Sequence, residues 1–155
     1  MSSRKQRKYL PKPFESNGKG GAYAALYLNM MNSPAWRTLT ASQKVLYVAC
    51  KAQYYGDREN PDGDERNFTM NRSKWLQYEL YKPSNAEGFY RDMEQLILHG
   101  FVRCIHQGKA NRTKNVYQLS EKWQKYGKPD FKIEKSEMTA AMIKRLVSSD
   151  KESAS

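Results

Sequence analysis

Between about residue 30 and residue 120, apolar positions recur with a period that can be read. Pro34-Ala35-Trp36 with Leu39 predicts a short helical turn ending before Thr40. Thr40-Ala41-Ser42-Gln43 is a capping box, in which Gln43 reaches back to the Thr40 amide. Val45, Leu46, Val48, Ala49 and Ala52 follow as a helical stripe that closes at Tyr54-Tyr55-Gly56. Phe68-Thr69-Met70 predicts a short strand and Asn71 an N-cap. Trp75, Leu76 and Leu80 predict a helix that Lys82-Pro83 stops. Ser84-Asn85-Ala86-Glu87 is a second capping box, and the helix it opens carries Phe89, Met93, Leu96 and Ile97 on one face. That helix ends at His99-Gly100, where glycine supplies the left-handed residue after the last turn. Phe101 to His106 and Val116 to Leu119 read as two strands, joined by a polar, basic hairpin tip from Gln107 to Asn115.

The order is therefore helix, short strand, helix, tight turn, helix and two-stranded hairpin. It is the order of a winged helix-turn-helix, and it also occurs in unrelated α+β domains. The expected class is α+β, mostly helical, with a C-terminal β-hairpin wing and an extra C-terminal helix. Residues 1–21 form a flexible basic arm, residues 22–127 the domain, and residues 128–155 a linker, an amphipathic helix over about 134–147 and a frayed tail. The amphipathic stripe is Met138, Ala141, Met142 and Leu146 or Ile143, opened near Ser136. It packs back on its own domain or pairs with a second copy in a homodimer.

Charge adds direction to this picture. Lys and Arg total 27 against 16 Asp and Glu, a formal charge of +11, so polyanions are natural partners. The arm carries Arg4, Lys5, Arg7, Lys8, Lys12 and Lys19 against Glu15 alone, while Pro11, Pro13, Gly18, Gly20 and Gly21 deny it regular structure. Residues 57–66 run the other way, with five acids against Arg58 and Arg66. From the hairpin tip onward, residues 108–128 are basic again.

The chain resembles the small winged-helix DNA-binding proteins of bacterial plasmids, phages and integrative or conjugative elements, replication-associated ones included. The likeness lies in Ser33-Pro34-Ala35-Trp36 with Leu39, then Leu46-Tyr47, Gly88-Phe89-Tyr90-Arg91-Asp92, Leu96 with His99-Gly100-Phe101-Val102, and Tyr117-Gln118-Leu119-Ser120 with Trp123. It covers roughly residues 28–127. The acidic 57–66 loop is longer than in that family, and both tails are unmatched. The resemblance implies binding to double-stranded DNA at a site that serves replication, transfer or transcriptional control.

In such a fold the second helix of the pair enters the major groove by its N-terminal residues. Its exposed early positions are Ser84, Asn85, Glu87 and Tyr90, with Arg91 one turn on. Asn85 and Arg91 suit adenine or guanine edges, and Ser84 with the helix N-terminus suits a phosphate. The alternative is a solvated face on which Arg91 pairs with Glu87. The hairpin offers Lys109, Asn111, Arg112, Lys114 and Asn115 at its tip, with Arg103 and His106 at its base, to phosphates or the minor groove. Arg4, Lys5, Arg7 and Lys8 add sequence-independent contacts, or serve solubility alone.

Little points to catalysis. The two histidines, His99 and His106, form no cluster for a metal-dependent nicking enzyme, and Gly18-Lys19-Gly20-Gly21 lacks the spacing of a phosphate-binding loop. Cys50 and Cys104 read as buried thiols of a cytoplasmic protein, and with the histidines match no common zinc pattern. Trp36, Trp75, Phe89 and Trp123 read as core rather than as base-stacking platforms. No enzyme activity, metal or cofactor is expected. The longest apolar run, Ala22 to Leu28, is far short of the roughly 20 residues of a membrane span. The competing reading is an adaptor that holds a replication or conjugation protein, and a third is an RNA-binding or single-strand binding module.

Overall fold

A computed structural model describes residues 23–53, 66–108 and 114–153. The fold is α+β: helices packed on a small antiparallel sheet of three strands. Three short helices come first. These are α1 (Leu28–Met31), α2 (Pro34–Thr38) and the longer α3 (Ala41–Lys51). Proline at the first helical position and the Ser33 hydroxyl, which accepts from the Trp36 amide at 3.2 Å, start α2. The expected capping box starts α3. The Gln43 amide donates to Thr40 Oγ1, and Gln43 Oε1 accepts from the Thr40 amide at 2.9 Å.

The stripe expected on α3 is out of phase. Leu46, Tyr47, Ala49 and Cys50 are buried, whereas Val45 and Val48 face outward. The helix is apolar on two faces, so periodicity alone leaves its rotation open. Tyr47 decides it by packing at 5.7 Å from Trp36 and 5.2 Å from Phe101. Tyr54, Tyr55 and most of the acidic loop lie outside the described residues.

Strand β1 is Asn67–Phe68, so of the expected Phe68-Thr69-Met70 only Phe68 is in the strand. Asn71 caps α4 (Arg72–Gln77) as expected, its side chain accepting from the Lys74 amide. The helix stops well before Pro83. The Leu80 amide donates to the Trp75 carbonyl and the Glu79 amide to the Leu76 carbonyl, with Glu79 at φ 53°. That is a Schellman ending with glutamate in the left-handed position. The next helix, α5 (Ala86–Leu98), ends in the same motif with glycine in that position. Phe101 donates to Leu96, Gly100 to Ile97, and Gly100 has φ 83°.

Strands β2 (Val102–His106) and β3 (Val116–Leu119) form the expected hairpin, and β3 lies between β1 and β2. Val102, Cys104 and Tyr117 turn to the core with Phe68. On the other face Arg103 bonds Gln118, whose amide donates to Asn67 at 2.9 Å. Leu46, Phe89, Met93, Leu96, Ile97 and Phe101 fill the space between helices and sheet.

Past residue 127, where a linker and helix are expected, the chain returns to the domain. Ile133, Met138 and Met142 join the core, and Gln107 donates to the Met138 carbonyl at 3.0 Å. The final helix α6 is Ala140–Ser153, not 134–147. Glu134 and Glu137 bond reciprocally around a separate 3-10 turn, Lys135–Glu137, and the Thr139 hydroxyl accepts from the Met142 amide to open α6. The tail expected to fray from 148 is thus helical through Ser153. Met142 is buried and Ile143 half-buried, but Ala141 and Leu146 of the expected stripe are exposed. Among the described residues no helix is long and apolar enough to cross a membrane.

Candidate nucleic-acid interface

The chain between α4 and α5 is held tightly. The Asn85 amide donates to the Lys82 carbonyl at 2.8 Å, so the helix begins at Ala86 and Asn85, not Ser84, is its N-cap. Asn85 Oδ1 accepts from the Gly88 amide at 3.1 Å. A Cβ on Gly88 would stand 2.6 Å from Asn85 Nδ2, so glycine is what lets this side chain fold over its own helix end. The Ser84 capping box therefore does not form. Ser84 is left exposed ahead of the helix.

From that start, α5 buries Phe89, Asp92, Met93, Leu96 and Ile97 and turns Glu87, Tyr90, Arg91 and Leu98 to solvent. Asp92 is buried because Tyr81 Oη donates to it at 2.7 Å, tying the turn to the helix. Burial, then this bond, hold the Tyr81 hydroxyl far above its ordinary pKa. Arg91 does not pair with Glu87, and among the described residues it forms no ion pair. Glu94, further along the helix, pairs instead with Arg145 of α6.

Beside α5 lies a notch of about 370 Å³, bounded by the start of α4, the first turns of α5 and the foot of the hairpin. Arg72, Tyr90, Lys114 and Asn115 line it together. Of the residues singled out in the sequence, it gathers Tyr90, Lys114 and Asn115. Lys114 is exposed. Asn115 spends both ends of its amide inside the molecule, accepting from the Gly108 amide at 2.6 Å and donating to Tyr117 Oη at 3.1 Å. It closes the foot of the hairpin.

Arg103 lies elsewhere. It bonds Gln118 and lines a separate cleft of about 900 Å³ with Tyr27, Lys51 and Trp123. Lys109, Asn111 and Arg112, like Arg4, Lys5, Arg7 and Lys8, lie outside the described residues.

Two cations at or beside the notch escape a sequence reading. Arg72 donates to the Pro83 carbonyl at 3.1 Å. Lys74 Nζ donates to the Thr69 carbonyl at 2.6 Å and to its hydroxyl at 2.9 Å. Burial, then the nearby charge of Lys114, hold the Lys74 ammonium below the usual lysine range. Among the described residues no carboxylate bridges Lys74 or Lys114, so neither charge is balanced by an ion pair there. The available signal was basic residues directly after the Asn71 cap, where the helix dipole disfavours them.

The remaining candidates for chemistry stay apart. His99 caps α5, with Nδ1 2.6 Å from the Gln95 carbonyl and the ring stacked at 4.9 Å on Tyr126. Among the described residues its Nε2 is buried and finds no hydrogen-bond partner. Cys50 and Cys104 are free, buried thiols. Among the described residues no three His, Cys, Asp or Glu side chains gather as metal ligands. Trp36, Trp75 and Phe89 are buried and Trp123 partly so. Tyr27 and Tyr90 expose their rings. Comparison of the chain with family models, with curated proteins and with solved structures gave no match.

Proposed function

We propose that this chain is a winged helix-turn-helix protein of a mobile genetic element that binds double-stranded DNA at a specific site, marking it for replication, transfer or transcriptional control. One observation carries the reading. The exposed arc of α5, with Arg91 in no ion pair among the described residues, runs through Tyr90 into a notch rimmed by Arg72 and Lys114. A helix arc carrying an exposed arginine beside a cationic rim suits a duplex, base edges meeting the arc and phosphates the rim. In this reading α5 lies in the major groove and the hairpin tip, 107–115, follows the flanking backbone.

Ser84, Tyr90 and Arg91 remain the candidate groove contacts. Asn85 and Asn115 act as positioning residues, holding the helix start and the hairpin foot. Arg103 supports the sheet.

Fluorescence anisotropy tests this with labelled duplex, single-stranded DNA and RNA of equal length across a salt series, comparing random duplex with fragments from around the coding region. Tighter binding to one fragment, with a salt slope of several phosphate contacts, is the expected result. Absence of duplex binding at low salt overturns it and leaves the adaptor reading.

A further inference from the structure

The larger cleft, of about 900 Å³, shares no lining residue with the notch beside α5. Its walls come from α1, the end of α3, strand β2 and the chain that returns over 119–134. The cations in it fall into two groups. On the returning chain Lys125 pairs with Asp130 at 3.0 Å, Lys132 with Glu134 at 3.8 Å and Lys122 with Glu137 at 2.6 Å, so these charges cancel where they stand. The lining acid outside these pairs, Glu121, is exposed to solvent.

Lys51 and Arg103 differ, because among the described residues neither forms an ion pair. Arg103 sends Nε and Nη2 to Gln118, a buried amide that donates in turn to Asn67 at 2.9 Å. An amide fixes the direction of a guanidinium without neutralising it, and Nη1 makes no hydrogen bond among the described residues. Lys51 is half-buried, with its ammonium 5.7 Å over the ring of Tyr27. Burial holds that ammonium below the usual lysine range. A cation kept partly out of water against an aromatic face gains from an anion beside it. Rings complete the lining. Tyr27 is 64% exposed, and Trp123 and Phe131 are half-buried in the same walls.

We propose that this cleft holds an unpaired nucleic-acid strand, with a phosphate on Lys51 and Arg103 and a base on the Tyr27 ring. A strand offers phosphates and open base faces together, and a wall that carries oriented cations beside exposed rings meets both. A duplex keeps its base faces inside the stack, so the rings are of no use to it. The volume stands at the upper end of the range for a small ligand, which favours a strand over a single nucleotide. The inference stands apart from the duplex reading, which uses α5 and the notch.

Anisotropy of labelled oligo-dT and oligo-U, each of about 12 nucleotides, tests it on the full chain across a salt series, and the two probes tell DNA from RNA. Tyr27→Ala is expected to weaken single-strand binding at least about fivefold with the salt slope kept, while Tyr27→Phe, which retains the ring, stays within about twofold. Lys51→Gln is expected to weaken it and to lower the slope of log affinity against log salt by about 0.7, the share of one phosphate on a single strand. Arg91→Ala leaves it unchanged, and neither Tyr27→Ala nor Lys51→Gln moves duplex binding, so failure of the duplex reading leaves this result readable. Each variant keeps its circular dichroism spectrum, since Tyr27 is exposed and Lys51 half-buried. Absence of single-strand binding at low salt overturns the proposal. So does a loss in Arg91→Ala as large as that in Tyr27→Ala. Displacement of the strand by thymidine monophosphate or by polyglutamate at equal concentration also overturns it, leaving a nucleotide site or charge alone.

Discussion

Arg91 is exposed on α5 and forms no ion pair among the described residues, so its removal is expected to spare the fold and to take a base contact from the proposed DNA complex. Arg91→Ala is expected to weaken binding at the specific site by about 1–3 kcal/mol with an unchanged melting temperature, measured by anisotropy and thermal denaturation. Asn115→Ala is expected to act on the fold instead. It leaves the Gly108 amide without its acceptor and lowers stability by about 1 kcal/mol, read from a urea midpoint, whether or not DNA is present. The two cysteines are inert for a related reason. Burial pushes the Cys104 thiol up to about 11 and raises that of Cys50 well above the ordinary range, so near pH 8 both are thiols shielded from solvent. A disulfide reagent is expected to titrate neither in the native protein and both after denaturation.

The endings of α4 and α5 allow a comparison at the scale of elements. Both are Schellman motifs, but one places glutamate and the other glycine in the left-handed position. A side chain there costs roughly 1–2 kcal/mol, partly offset by the greater chain entropy of glycine when unfolded. Glu79→Gly is therefore expected to raise stability by up to about 1 kcal/mol. Gly100→Ala meets the same backbone penalty and also sets a Cβ 2.6 Å from the Trp123 amide nitrogen. A loss of about 2 kcal/mol or more is expected in the same denaturation series, because the atoms it meets are backbone. The turn between these helices sets how α5 is presented, so Tyr81→Phe, which strips buried Asp92 of its donor, is expected to weaken DNA binding through helix position.

At the scale of the whole molecule, α6 folds back so that Arg145 neutralises Glu94 on the helix proposed to face DNA. The arginine is 62% exposed, so the pair adds less than about 1 kcal/mol to stability. Its larger effect is on charge beside the duplex. Arg145→Ala uncovers Glu94 and is expected to weaken binding to every sequence, while Glu94→Gln strengthens it. Lys114→Ala also acts on all sequences alike and is expected to lower the slope of log affinity against log salt by about 1. Opposite signs for Arg145 and Glu94, read by anisotropy, separate a field effect from loss of a direct contact.

What can be read from the sequence alone here is local. Thr40 with Gln43, the Asn71 cap, the core face of α5 and the turn at Gly100 depend on atoms a few residues apart, and each was legible from spacing. The hairpin strands were legible for the same reason. Three-dimensional packing decided the rest. Which apolar face of α3 turns inward depends on Tyr47 meeting Trp36 and Phe101, the latter far along the chain. Whether a polar residue faces a ligand or a neighbour also depends on tertiary placement. Asn85 and Asn115 resemble groove contacts in sequence and are spent on backbone amides, whereas Arg72 and Lys74 carry no such mark in sequence and stand at the notch or beside it. The start of α6 lies at Ala140 rather than near 134 because Thr139, Met138 and Met142 find partners within the folded domain. A side chain's type limits which bonds it can make. Only the packed chain determines which of those bonds are already made within the protein, and so which groups remain for a partner.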